Sequence, residues 1–366
     1  MKGIFIPLFM LLAISVSAQS LQSTNNTASK ELPEQVKKDW FNLDYDSDKI
    51  YGTSTNKTFE EYIKTTKPKK RIVVAVIDSG VDWEHEDLSE NIWTNPNEIA
   101  GNNIDDDKNG YVDDVHGWNF LVDDEGGDIT METMEATRIL KLSKDLRETE
   151  GEYPAWLTNA VINQALEIYN KEVASTKSLE KFRTSFGFAD SVMLATEGEE
   201  YTIAKALTLD ENANNDYKRA KLFFTVMNAA SIDLEDLTEM AERYDESALY
   251  QLNMDFVTRK SLKPDQKFYG NNHYECEHAE HGTHVAGIIA ASRTNAIGTK
   301  GIASNCTDIM ILRAVPNGDE HDVDVANSIR YAVDNGANII NMSFGKGLSP
   351  HKELVTEALQ LSLIHI

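Results

Sequence analysis

Two places in this sequence hold residue types suited to proton transfer: Asp78, and the helix start His281-Gly282-Thr283-His284. Asp78 directly follows Ile72-Val73-Val74-Ala75-Val76-Ile77, an unbroken β-branched run. Such a run reads as a strand buried on both faces, hence part of a parallel sheet. In open parallel sheets working groups collect beyond the carboxyl ends of the strands. A carboxylate there can orient an imidazole and stabilise its protonated form, although an Asp ending a strand is equally a turn former. His281 opens an apolar helix, which holds its ring rigidly, and imidazole is a natural general base near neutral pH. His278, His281 and His284 recur every three residues. Their order, His-x-x-His with Glu280 before the second His, fits neither protease zinc pattern, so no zinc site is expected. His284 reads as structural. Ser343 sits within a strand-like run and lacks a Gly-x-Ser-x-Gly turn, so it is not read as a nucleophile.

A second cluster is acidic. Asp105, Asp107, Asn109, Tyr111 and Asp113 alternate around Gly110. Hard cations take six to eight oxygen ligands, and such a loop can wrap one Ca²⁺ with the Tyr111 carbonyl contributing. It departs from an EF-hand, because His116 stands at the twelfth position. The alternative is a solvated acidic turn. Residues 82–128 hold fifteen Asp and Glu against one Lys, a density of like charge that favours a counter-ion.

The elements that must position these groups follow from pattern. Residues 82–128 are rich in Asn, Asp and Gly and read as loops. Residues 129–267 change texture and read as helices over 131–148, 155–173 and 234–250, with Leu157, Val161, Ala165 and Ile168 at helical spacing. From Tyr269 an α/β texture returns. Residues 281–292 read as a helix, 309–315 as a strand, 323–333 as a helix ending near Gly336, and 338–344 as a strand, which makes a βαβ unit. The fold class is therefore α/β, a parallel β-sheet flanked by helices with a helical insertion.

The chain has 366 residues and a formal net charge of −25. Its 41% hydrophobic content supports a sizeable core. The acidic balance argues against nucleic acid and against an anionic membrane surface as partners. Cys276 and Cys306 are too few for a disulfide scaffold, and whether they pair is open. Residues 1–18 carry Lys2, an apolar run from Ile4 to Ile14 and a small-residue end at Ala18, the form of a cleaved export signal; the run is too short for a transmembrane segment. The expected organisation is a signal peptide at 1–18, an N-terminal segment at 19–70, a main domain made of 71–128 and 268–366, and the helical insertion at 129–267.

Several blocks carry a family resemblance. Val74-Ala75-Val76-Ile77-Asp78-Ser79-Gly80, His85-Glu86-Asp87-Leu88, His281-Gly-Thr-His-Val-Ala-Gly and Ile340-Asn341-Met342-Ser343-Phe344-Gly345 resemble the subtilisin-like serine proteases, in the order Asp, His, Ser of that family. The resemblance covers roughly residues 71–120 and 270–360. It implies the subtilisin-like fold, a serine endopeptidase acting on protein or peptide substrates, Asp78 as the group that orients the base and His281 as the base. It implies that Ser343, Phe344 and Gly345 form the strand edge that pairs with substrate backbone. It also implies a second calcium site using Asp87 and Asn295, with a one-residue loop difference at the Asn. The family's nucleophile lies in a Gly-Thr-Ser-Met-Ala-type turn after the substrate strand. Neither that turn nor the oxyanion-donating Asn is found between Ser343 and Ile366, and Gly52-Thr53-Ser54 is followed by the wrong residues. The expectation is thus a C-terminally truncated protease, inactive as given. The alternatives are a non-catalytic peptide-binding protein or a calcium-binding protein on the same fold. Residues 19–71 leave little room for a full inhibitory propeptide, and none is expected. Residues 129–267 are read either as a lid restricting substrates or as a packed insertion.

Overall fold

The apolar run after Arg71 forms strand β1 (Ile72–Asp78), the centre of the sheet. The computed structural model describes residues 34–66, 68–276 and 278–365, so the expected signal at 1–18 lies outside the described residues. Among the described residues three short α-helices precede β1: α1 (Glu34–Asp39), α2 (Tyr45–Asp48) and α3 (Thr55–Thr58). Strand β2 (Gly117–Asn119) follows the acidic loops. Helices α4 (Glu135–Glu148), α5 (Asn159–Glu197), α6 (Ile203–Ala206), α7 (Asn215–Ala229) and α8 (Leu234–Glu246) come next. The chain ends with α9 (Glu280–Ala290), β3 (Thr307–Arg313), α10 (Asp322–Asp334), β4 (Ile339–Met342) and α11 (Lys352–His365).

The four strands are parallel in the order β2-β3-β1-β4. The register runs Ile72 to Thr307 through Asp78 to Arg313, and Ile77 lies opposite Met342 on the other side. Alternate residues of β1 serve opposite faces, which is why the run is apolar throughout. Ala75 and Ile77 join Met310 and Leu312 against Val325, Ala326 and Ile329 of α10. Val74 and Val76 join Ile309 and Ile311 against Ala286 and Ala290 of α9. Each fully buried Val, Ile or Leu contributes about 1.5–3 kcal/mol here. Strand β4 lies at an edge, with Ile339 and Met342 exposed.

The expected helix from residue 131 begins at Glu135 instead. Met131 is held extended as a bridge to Asn317, and the Glu132 amide donates to the Asn317 carbonyl. Helix α5 continues past the expected end near residue 173 to Glu197, because Phe186, Ala189 and Met193 give its second half a buried face against Phe224 of α7 and Leu237 of α8. Helix α7 carries no strong pattern and was not expected. Its start is fixed by the Asn214 side chain, which accepts from the Tyr217 amide. A capping box of Asp233 and Asp236 starts α8. Among the described residues no helix is long and apolar enough to cross a membrane. Cys276 and Cys306 are both free thiols.

Candidate active site

β1 ends in Asp78, whose side chain is buried, and α9 begins one residue before His281. The Asp78 Oδ1 is 2.7 Å from His281 Nδ1 and accepts the Ser79 amide at 2.8 Å. These residues lie 203 positions apart in sequence. Gly282 is what allows the approach: a Cβ there would stand 2.0 Å from the Gly80 carbonyl oxygen and 3.2 Å from Asp78 Cβ. The Ser79 hydroxyl accepts the Gly282 amide at 3.3 Å, and the Thr283 hydroxyl accepts the Asp82 amide at 2.9 Å, so the helix start is fastened to the strand end. The imidazole is mostly exposed while its partner is sealed from water. With Nδ1 engaged by a carboxylate, Nε2 is the nitrogen left to take a proton, the arrangement of an oriented general base. Asp78 Oδ2 is buried without a partner among the described residues. The pair opens on a cleft of about 310 Å³ also lined by Ser79, Cys276, His278 and Arg313.

Ser343, Phe344 and Gly345 leave the carboxyl end of β4, the same end of the sheet as Asp78. Ser343 and Gly345 are exposed, and the Ser343 hydroxyl accepts from Asn341 at 2.9 Å. Phe344 packs against the core instead of standing free.

The acidic loop brings Asp105 and Asp107 together with Glu98, their carboxylate oxygens all within 4.8 Å of one another. Glu98 Oε1 accepts the amides of Asp106 and Asp107, while its Oε2 is buried with no partner among the described residues. Burial pushes the Glu98 carboxyl above its ordinary value. An orphaned oxygen beside two more carboxylates fits a hard divalent cation such as Ca²⁺. Asn109 hydrogen-bonds within the loop, accepting the Tyr111 amide at 2.8 Å and donating to Asp114 at 3.0 Å. Gly110 has φ +98°, and a Cβ there would strike Phe268 at 2.3 Å. The Tyr111 ring is in the aromatic core with Trp118 and Tyr331. Asp113 turns its carboxylate to the amides of Asn102 and Asn103 and stands outside the trio. Burial lifts the neighbouring Asp114 to about 6, against the Tyr331 hydroxyl bond that lowers it. Glu98 was missed by sequence reading because it lies seven residues before Asp105, outside the alternating pattern.

Asp87 and Asn295 also meet. Asn295 donates to Asp87 Oδ1 at 2.7 Å, and a Cβ on Gly298 would lie 2.1 Å from Asp87 Oδ2. The amide nitrogen faces the carboxylate, so a cation here would need the amide turned over to present its oxygen.

The Subtilase family model matches residues 69–363, which contain both halves of this site. The chain belongs to the subtilase family. It is 46% identical over 79 residues to the thermophilic serine proteinase of Bacillus sp. (strain AK1), covering 21% of this chain and 20% of that protein. It is 34% identical over 110 residues to subtilisin-like protease 1 of Plasmodium berghei (strain Anka), covering 30% and 18%. It is 38% identical over 82 residues to the cell wall-associated protease of Bacillus subtilis (strain 168), covering 22% and 9%. These matches span about a fifth or less of each relative's length. The parallel sheet with helices on both faces is the subtilisin-like fold that the motifs implied.

Proposed function

We propose that this subtilase carries the orienting and basic groups of an exported, calcium-stabilised serine endopeptidase. The observation that supports this most is the 2.7 Å contact between buried Asp78 and exposed His281. Asp78 fixes the ring and stabilises the imidazolium, and His281 Nε2 takes the proton from a nucleophilic hydroxyl. Substrate backbone pairs along the exposed edge at Ser343–Gly345, a β-augmentation. Export rests on the form of residues 1–18 and on likeness to a cell wall-associated protease. Ca²⁺ at Glu98, Asp105 and Asp107 would tie down the loops between β1 and β2. Residues 129–267 form an insertion in the protease domain.

The residues between Ser343 and Ile366 include no Gly-Thr-Ser-Met-Ala-type turn, so the 366-residue chain by itself has no acyl-enzyme chemistry in this reading. Lack of one oxyanion donor alone costs about 10²–10³ in kcat, a figure measured in subtilisin itself. A serine-directed fluorophosphonate probe tests the proposal. No labelling is expected for this chain. Any longer product of the same gene with a nucleophilic Ser should label, and His281→Ala should abolish it. Labelling of this chain, or labelling that survives His281→Ala, refutes the proposal. A purely peptide-binding role is disfavoured, since binding an extended peptide needs no buried carboxylate aimed at an imidazole.

A further inference from the structure

The residues just past Gly345 are held by helices α4 and α5 and by the start of α10, not by the sheet. The Lys346 side chain is 5% exposed. Its Nζ donates to Glu135 Oε2 of α4 at 2.8 Å and to the Glu320 carbonyl at 2.6 Å, and it lies 2.9 Å from Asp322 Oδ1 at the first turn of α10. An ammonium has three N–H donors, and these three oxygens match them. Two residues on, Leu348 is buried among Ala136, Ile139, Leu157 and Ala165 of the helical stretch 129–267. The Gln164 side chain reaches the Gly347 carbonyl at 3.4 Å. Asp322 also accepts the Ser349 hydroxyl and the His351 amide.

We infer that Lys346 is a positioning residue through which helix α4 and the start of α10 set the conformation of the peptide-binding edge Ser343–Gly345. This rests on the reading of that edge given above. The edge projects beyond β4 with Ser343 and Gly345 exposed on either side of Phe344, which packs on the core, so its far end depends on where the chain is next tied down. That point is Lys346, and its anchors Glu135 and Asp322 come from two different elements. A buried charge cluster of this kind specifies one register, because every shifted arrangement leaves a carboxylate or an ammonium unpaired. The helical stretch is therefore the mount of the substrate edge, whatever it does at the cleft rim.

The test compares this chain with Lys346→Met and Lys346→Arg. Backbone ¹⁵N relaxation gives order parameters, and fluorescence anisotropy gives the affinity for a labelled casein peptide. In Lys346→Met, order parameters at Ser343–Gly345 should fall from roughly 0.85 to below about 0.6. Those at Val74–Ile77 and Ile309–Leu312 should stay unchanged. Lys346→Arg, which keeps the charge and donors, should restore the edge. Peptide affinity should drop at least tenfold on the Met change and recover with Arg. An edge that stays rigid in Lys346→Met overturns the inference, as does loosening that spreads equally through β1 and β3. Wild-type chain that fails to bind the peptide refutes the proposed peptide edge, while the order parameters still decide the role of Lys346.

Discussion

Gly282→Ala should separate His281 from Asp78 without touching either. The added Cβ would lie 2.0 Å from the Gly80 carbonyl oxygen, which is backbone and cannot swing aside. Ordinary contact needs more than 3 Å, so the start of α9 and the end of β1 must part by roughly 1 Å. The Asp78–His281 contact of 2.7 Å then stretches past hydrogen-bonding range. Overpacking of this kind costs about 1–3 kcal/mol, a fall of a few degrees in Tm. In an active enzyme a 1 Å misplacement of the base costs about 10² in rate. The chain in hand is assayed by NMR, through the downfield Nδ1 proton that a carboxylate-bound imidazole shows. The wild type should show that resonance and Gly282→Ala should lose it while remaining folded. A variant that melts with the wild type and keeps the resonance would refute the steric argument. Gly282 would then not be the residue that lets helix and strand meet.

Calcium at 100 times its dissociation constant should raise stability by about 2.7 kcal/mol relative to excess chelator. Glu98→Gln should remove most of that rise; equal Tm values in Ca²⁺ and chelator would count against the site. The junction around Glu132, Glu135 and His321 should make the fold acid-sensitive. Burial opposes the charge of Glu132, but the His321 bond and Arg138 outweigh it and hold its carboxyl well below the ordinary 4.5. Burial likewise opposes Glu135, which Arg138 and Lys346 bring down to about 2. Both contribute stability that is full above pH 4.5 and lost as pH falls toward their folded values. Burial, helped by Arg138, lowers His321 from 6.5. Its unfolded form therefore takes up a proton first, and stability declines as pH falls below about 7. Urea midpoints should drop between pH 7.5 and 5, and His321→Gln should flatten that limb. A midpoint constant over this range in the wild type would contradict it.

The sheet was legible because a strand buried on both faces leaves an unmistakable apolar run, as at Ile72–Ile77. The Asp78 and His281 motifs were legible because close packing requires small residues at fixed offsets, here Gly80 and Gly282. Residues such as Glu98 and Lys346 were not, since a lone charged residue in a polar stretch reads as solvated. Only the fold shows that Glu98 Oε2 is buried without a partner among the described residues and that Lys346 lies under two helices. Helix ends were misplaced where tertiary bonds overrode pattern. Met131 and Glu132 had helical texture but are drawn out to pair with Asn317.

The 203 positions from Asp78 to His281 raise the question of how such a detour leaves a 2.7 Å contact undisturbed. Loop-closure entropy grows only as the logarithm of length, so a loop three times longer costs about 1 kcal/mol more. Even that cost is reduced if the helical stretch leaves and re-enters the fold close together, and it does. On the way out, Glu132 binds the Asn317 carbonyl through its amide. On the way back, Arg259 meets Asp324 with two bonds, at 2.9 and 2.6 Å, both side chains almost fully buried. Asp124 then takes the Lys260 and Ser261 amides. The anchors Asn317 and Asp324 lie between β3 and the first turn of α10, seven residues apart. Between these clasps the stretch has an apolar core of its own around Phe186, Met193, Phe224 and Leu237. It meets the site in two places: at the outward clasp, where Thr130 and Asn317 line the cleft and the Ile129 carbonyl accepts from Arg313, and at the edge, through Lys346 and Leu348. A substitution inside that separate core should then leave the Asp78–His281 bond intact, whereas one at the clasp should not.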